Sequence, residues 1–218
     1  MHSNSIHPEA PETFDGLTFW DINTIFQQGE TISTNEAQTV KSCRASNLNL
    51  IIKEYIAHGS LAKMRLKLGL SRPHKAFRYA KLLEGQNILC PRHYLVASNI
   101  TNDKYTTLLV MERAPGKPLY EFIHADQKIQ LSDEAANNTA MLIKEIHALG
   151  ISHGDMHARN FIVAPDDTVR IIDLDNVRLS RLSKNRQSKD LVRFTQAIKK
   201  GKHHTSKILN ALNQPIGD

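Results

Sequence analysis

ISHGDMHARNFIVAPDDTVRIIDLDNVRL, residues 151–179, sets three chemically useful side chains, Asp155, Asn160 and Asp173, beside apolar runs that can hold them still. Ala135, Leu142, Ile146 and Leu149 precede it at helical spacing, and Gly150 reads as the helix stop. Phe161–Val163 reads as a short buried strand, Pro165-Asp166-Asp167 as a turn, and Val169–Ile172 as the returning strand. Helix, loop, hairpin and loop therefore leave the three polar residues at the ends of ordered elements.

An Asp in a loop, an Asn five positions on and a second Asp after a hairpin suit phosphoryl transfer. The first carboxylate orients a hydroxyl and accepts its proton. The amide oxygen and the second carboxylate are hard ligands of the kind magnesium takes when it bridges nucleotide phosphates. Singly, each residue reads equally well as a cap or a solvated charge; the order and the flanking strands make the case.

The arrangement resembles the protein-kinase-like fold. His153-Gly154-Asp155 stands where kinases carry His-Arg-Asp, Asn160 falls at the spacing of that motif's Asn, and Asp173-Leu174-Asp175 stands in place of Asp-Phe-Gly. More narrowly, HGDMHARN with IIDLDNVR looks like the bacterial lipopolysaccharide kinase family, whose members phosphorylate Kdo or heptose of the lipid A–core. The likeness includes the Gly after the His, the acid in place of the last Gly, and a tail with Arg178, Arg181, Arg186 and Lys189-Asp190-Leu191. It runs over about residues 48–197.

The resemblance implies a bilobal α+β fold, an N-lobe antiparallel sheet with a helix and a reduced, mostly helical C-lobe. The expected parts are an N-terminal flexible stretch over 1–16, an N-lobe over 17–113 and a C-lobe over 114–218. It implies ATP and Mg2+ as cofactors. Asp155 becomes the catalytic residue, and Asn160 and Asp173 the metal and nucleotide ligands. Lys53 matches the strand lysine that pairs with nucleotide phosphates, and adenine is expected at the backbone near Glu112, Arg113 and Ala114, with Met111 behind it. His153 is expected to brace the loop, and His157 to stand near the γ-phosphate.

Upstream, residues 17–28 carry Leu17, Phe19, Trp20, Ile22, Ile25 and Phe26, an amphipathic piece packed on the body. Residues 29–46 fit a first hairpin, but with Gly29 alone where protein kinases have Gly-x-Gly-x-x-Gly; Ser33, Thr34 and Asn35 are the candidate phosphate donors. In 47–55 Leu48, Leu50 and Ile52 alternate to one face, Ile51 and Lys53 to the other. Segments 60–70 and 73–86 read as helices, the second striped by Ala76, Phe77, Ala80 and Leu83. Glu84 is its only acid, so the partner of Lys53 stays open among Glu84, Glu54 and Glu112. Strands follow near 88–97 and 106–113, and Ala114-Pro115-Gly116-Lys117-Pro118 reads as a hinge. Leu119 opens a helix, Ser132 caps the next, and residues 188–199 give an amphipathic helix with Leu191, Phe194 and Ile198 inward. The final LNALNQPIGD promises little more.

The chain has 218 residues, 40% of them hydrophobic, enough for a real core in one domain or two small lobes. No apolar run is long enough to span a membrane, and the opening residues lack the pattern of a secretory signal. A cytoplasmic location follows, with peripheral contact at the inner membrane as an extension. Cys43 and Cys90 read as free thiols. Net charge is +6, concentrated in Lys63–Lys81 and Arg178–Lys202. These are either solvated faces or surfaces toward an anionic membrane or a phosphorylated substrate; no nucleic acid is expected. The preferred acceptor is a sugar hydroxyl of a lipopolysaccharide core glycolipid. The alternatives are a compact protein kinase of the small tRNA-modification-associated or effector type, acting on a protein substrate, and a nucleotide-binding pseudokinase scaffold. Asp175 in place of Gly counts against the tRNA-associated type. The missing glycines feed the scaffold reading, and retention of Lys53, Asp155, Asn160 and Asp173 counts against it.

Overall fold

Alternating apolar residues build the larger sheet. The computed structural model describes residues 3–6, 14–101, 104–124, 129–179 and 184–214; Arg181 of the basic tail and the last four residues lie outside them. Two compact units divide the chain, one comprising Met1–Leu82 and Pro91–Arg113, the other Leu83–Cys90 and Ala114–Asp218. The class is mixed α and β, as expected.

The first unit holds β1 (Ser3–Ile6), α1 (Phe19–Gln28), β2 (Glu30–Thr34), β3 (Gln38–Ala45), β4 (Leu48–His58), α2 (Ser60–Lys67), most of α3 (Arg72–Glu84), β5 (His93–Thr101) and β6 (Lys104–Glu112). Its six strands form one antiparallel sheet in the order β1-β5-β6-β4-β3-β2. Leu50, Ile52, Leu95, Ala97, Leu108 and Val110 make one core with Phe14, Phe19, Ile22 and Phe26. Each such buried side chain contributes roughly 1.5–3 kcal/mol of transfer free energy. Helix α1 is fixed at its start by reciprocal bonds. Thr18 N–H donates to Asp21 Oδ2 at 2.7 Å, and Asp21 N–H donates to Thr18 Oγ1 at 3.3 Å. Trp20, expected inward, is 55% exposed, because it falls off the face shared by Phe19, Ile22 and Phe26.

The opening residues are not all loose tail. Ser3–Ile6 pair with β5, and Phe14 is fully buried, stacked on Tyr94 with ring centroids 5.3 Å apart. Polar composition hides both, since backbone pairing needs no apolar pattern and one aromatic has no period.

The second unit contains β7 (Lys117–Pro118), α4 (Leu119–His124), α5 (Asp133–Ala148), β8 (Ile151–Ser152), β9 (Phe161–Val163), β10 (Val169–Ile171), β11 (Arg178–Leu179), α6 (Lys184–Lys199) and α7 (Thr205–Asn213). Small sheets β10-β9-β7 and β11-β8 flank the loop between β8 and β9. Ser132 caps α5 by accepting from Ala135 N–H at 2.9 Å. Ala135, Thr139, Leu142, Ile143 and Ile146 bury the helix's inner face. Helix α7, not foreseen in the tail, buries Ile208 and Ala211; Lys144 on α5 donates to the Ala211 carbonyl at 3.1 Å, and Lys207 pairs with Asp133 at 2.8 Å. Among the described residues no helix is long and apolar enough to cross a membrane.

Candidate active site

The β8–β9 loop is built around hydrogen bonds that its own sequence supplies only in part. Asp155 is half-buried, and its backbone carbonyl accepts from Asn160 Nδ2 at 2.8 Å. Asn160 ends the tight turn Ala158–Asn160 and is buried. Its own carbonyl accepts from Ile172 N–H at 2.8 Å, which ties the loop to the residue before Asp173. Asp155 and Asn160 are thus hydrogen-bonded to each other, and Asn160 to the residue before Asp173, all within the second unit.

Asp173 sits in the left-handed region, φ 61° and ψ 65°. A non-glycine residue there carries a strain on the order of 1 kcal/mol, tolerated best by Asp and Asn. The next residue, Leu174, is buried and anchors the turn Leu174–Asn176.

His153 is fully buried and braces the loop, as expected. Its Nε2–H donates to the Ile172 carbonyl at 3.0 Å, and among the described residues Nδ1 has no hydrogen-bond partner. Burial pushes its pKa down despite the Ile172 carbonyl and the nearby charges of Asp173, Asp190 and Asp155, so the ring is neutral at pH 7. Gly154 follows with φ 81°; a Cβ there would lie 2.7 Å from the Asn176 carbonyl oxygen. That close approach accounts for glycine where the resembling motif has arginine.

Two residues of α6 complete the loop, and the sequence did not assign them roles. Asp190, 2% exposed, accepts from His153 N–H at 2.7 Å and Gly154 N–H at 3.0 Å, with His147 Nε2 at 3.6 Å. Burial raises its carboxyl pKa, but the nearby His147 ring and the bonds from His153 and Gly154 outweigh that and hold it below the usual carboxylate range. One turn on, Arg193 donates to the Gly154 carbonyl and contacts Asp155 Oδ1 at 3.4 Å. His157 Nε2 lies 3.4 Å from Asp155 Oδ2, so the carboxylate is flanked on both oxygens. The inward stripe of α6 is Asp190, Phe194 and Ile198, while Leu191, expected inward, is 38% exposed. The available signal was the i, i+4, i+8 spacing of Asp190 with two apolar residues. Phe194 fastens the helix by an edge contact with Phe161, centroids 5.1 Å apart.

The remaining sequence candidates lie elsewhere. Lys53 is buried on β4 of the first unit, opposite Val40 and Leu109 and facing away from the core of Leu50 and Ile52. Glu112 ends β6 in the same unit; its N–H donates to the Arg92 carbonyl at 2.8 Å and its carboxylate accepts from Arg92 N–H at 3.2 Å. Ala114 begins the second unit's main segment. In the β2–β3 hairpin, Asn35 Oδ1 accepts from Ala37 and Gln38 N–H, both at 2.9 Å, so that side chain closes its own turn. Thr34 and Thr39 hydroxyls bond each other at 2.9 Å. Gly29 meets a packing need: a Cβ there would stand 2.4 Å from Cys43 Sγ.

Asn160 Oδ1 and the Asp173 carboxylate are hard oxygen donors and fit a magnesium ion. Such an ion takes one or two protein carboxylates, water and phosphate oxygens, and needs no all-protein cage. Among the described residues no group of three or more His, Cys, Asp or Glu side chains forms one. The model of the lipopolysaccharide kinase (Kdo/WaaP) family matches residues 26–211. No curated protein matches the chain.

Proposed function

Because the chain belongs to the lipopolysaccharide kinase (Kdo/WaaP) family, a family of phosphotransferases that use ATP and act on the lipopolysaccharide core, we propose that it phosphorylates a Kdo or heptose hydroxyl, with Asp155 as the catalytic residue. The observation that carries the assignment of residues is the bond from Asn160 Nδ2 to the Asp155 carbonyl. With its donor given to that carbonyl, what Asn160 offers a cation is its amide oxygen, and Asp155 is fixed one bond away.

When bound, Mg-ATP would supply the γ-phosphoryl group and a cation to offset its charge. Asn160 and Asp173 would hold that cation. Lys53 pairs with the nucleotide phosphates, and the backbone near Glu112 and Ala114 receives adenine. Asp155 orients the acceptor hydroxyl and takes its proton, with Arg193 and His157 fixing the carboxylate's rotation. His153, buried, holds the loop against Ile172. Position and charge are most of what this chemistry asks of a protein.

The acceptor rides on a glycolipid, so the enzyme works at the cytoplasmic face of the inner membrane. Exposed Leu61, Met64 and Leu68 along α2, with Lys63, Arg65 and Lys67 among them, support contact with an anionic bilayer. The test is labelled ATP offered with rough-type lipopolysaccharide in anionic vesicles, beside a cell protein extract. Label is expected in the glycolipid, and the protein is expected to pellet with the vesicles at low salt. Label in protein bands alone overturns the acceptor, and protein left in the supernatant overturns the membrane contact.

A further inference from the structure

The second unit carries an open pocket of about 550 Å3, within the roughly 300–1,000 Å3 of small-molecule sites, that none of the roles above uses. Two of its walls, His157 and Arg193, are the residues that touch the Asp155 carboxylate. It therefore opens beside the atoms that would receive the acceptor hydroxyl.

Its lining is one-sided in charge. Arg159, Arg193 and Lys200 line it, and among the described residues no Asp or Glu does. His124 adds no fourth charge, because burial, then the nearby Arg159 and Lys202, press its pKa down. Arg159 is held in place: its guanidinium carbon lies 4.2 Å from the Tyr120 ring centroid, and Tyr120 in turn stacks on the His124 ring at 4.3 Å. A guanidinium held over an aromatic ring by cation–π attraction keeps N–H donors that suit a carboxylate or phosphate. Arg193 already contacts Asp155, whereas Arg159 and Lys200 face the pocket as like charges whose repulsion an arriving anion relieves.

We propose that this pocket binds an anionic group of the acceptor, a sugar carboxylate or a sugar-borne phosphate, and that Arg159 and Lys200 make the enzyme select a negatively charged core sugar. This rests on the reading of Asp155 as the residue that meets the acceptor hydroxyl. The anion sits at Arg159 and Lys200, and the hydroxyl to be phosphorylated reaches Asp155 past His157 and Arg193.

The experiment compares kcat/KM for delipidated rough-type core oligosaccharide with kcat/KM for the same material after dephosphorylation, and again after reduction of its carboxyl groups. Wild type is expected to prefer the untreated acceptor by about tenfold, the worth of one good charged contact. The treatment that removes the preference identifies the anion as phosphate or carboxylate. In Arg159→Gln and in Lys200→Gln the preference is expected to collapse toward unity; Arg159→Lys is expected to restore part of it. Lys189→Gln, which removes an exposed cation of α6 outside the pocket, is expected to keep it. Because the readout is a ratio between acceptors, a variant that is merely less stable leaves it unmoved. Equal use of all three acceptors by wild type, or a full preference in Arg159→Gln and Lys200→Gln, overturns the pocket's role while leaving the kinase reading standing. Transfer to none of the acceptors overturns both.

Discussion

The β8–β9 loop and the β2–β3 hairpin are both expected to touch the triphosphate, yet they are held in opposite ways. The loop is fastened from outside itself: Asp190 on α6 takes its two N–H groups, Ile172 takes its histidine and gives to Asn160, and Gly154 lies against Asn176. The hairpin's outer strand is fastened from within, by Asn35 closing the turn and by backbone pairs to β3, which is itself paired with β4, and all five residues of β2 are exposed. Buried bonds over long sequence separations resist local opening, whereas exposed local ones do not. The β8–β9 loop is held by bonds to distant segments, and the outer strand of the hairpin only by its neighbours.

The sharpest way to break this contrast is Asp190→Ala. It leaves the buried N–H of His153 and the partly buried N–H of Gly154 without their acceptor, at a cost of about 3 kcal/mol, or roughly 6–12 °C in Tm for a chain of this size. Differential scanning calorimetry measures it, and a change within 1–2 °C would show that α6 does not hold the loop.

A second test uses pH. Burial holds the folded pKa of His153 below its ordinary value, and the same cause acts on His74. As pH falls below about 6.5 the unfolded chain takes up protons that the folded chain refuses, so stability decreases from pH 7 toward 5. His153→Gln is expected to flatten that slope by up to one proton in denaturant titrations at several pH values. An unchanged slope would mean that the ring is not buried and neutral in solution.

The smallest effect belongs to the hairpin. Asn35→Ala removes an exposed turn closure and is expected to cost about 0.5–1 kcal/mol in the same titrations, well under the loss at Asp190. Equal losses at the two positions would erase the distinction between the regions.

What could be read from residue order follows this division. Apolar burial leaves a period, so Leu50 with Ile52, and Leu142 with Ile146, announced β4 and α5. Asp155, Asn160 and Asp173 were singled out by local spacing, and the structure bonds Asn160 to Asp155 and to the residue before Asp173. Asp190 was not, since an acid on a basic helix looks solvated until the helix is docked and Leu191 turns outward in its place. Strand β1 was hidden because backbone pairing with a distant segment leaves no apolar period, and helix α7, although Ile208 and Ala211 share its buried face, because it is only 9 residues long. Nor did the lone Gly29 betray that it makes room for Cys43 rather than for a phosphate.

The central claim is that Asp155 does chemistry rather than binding or scaffolding. Asp155→Asn keeps the size of the side chain and removes its ability to take a proton. With Mg-ATP and rough-type lipopolysaccharide, turnover is expected to fall by about 10²–10⁴-fold while the thermal shift caused by Mg-ATP stays that of the wild type. Turnover equal to wild type in a folded, nucleotide-binding variant would contradict the account.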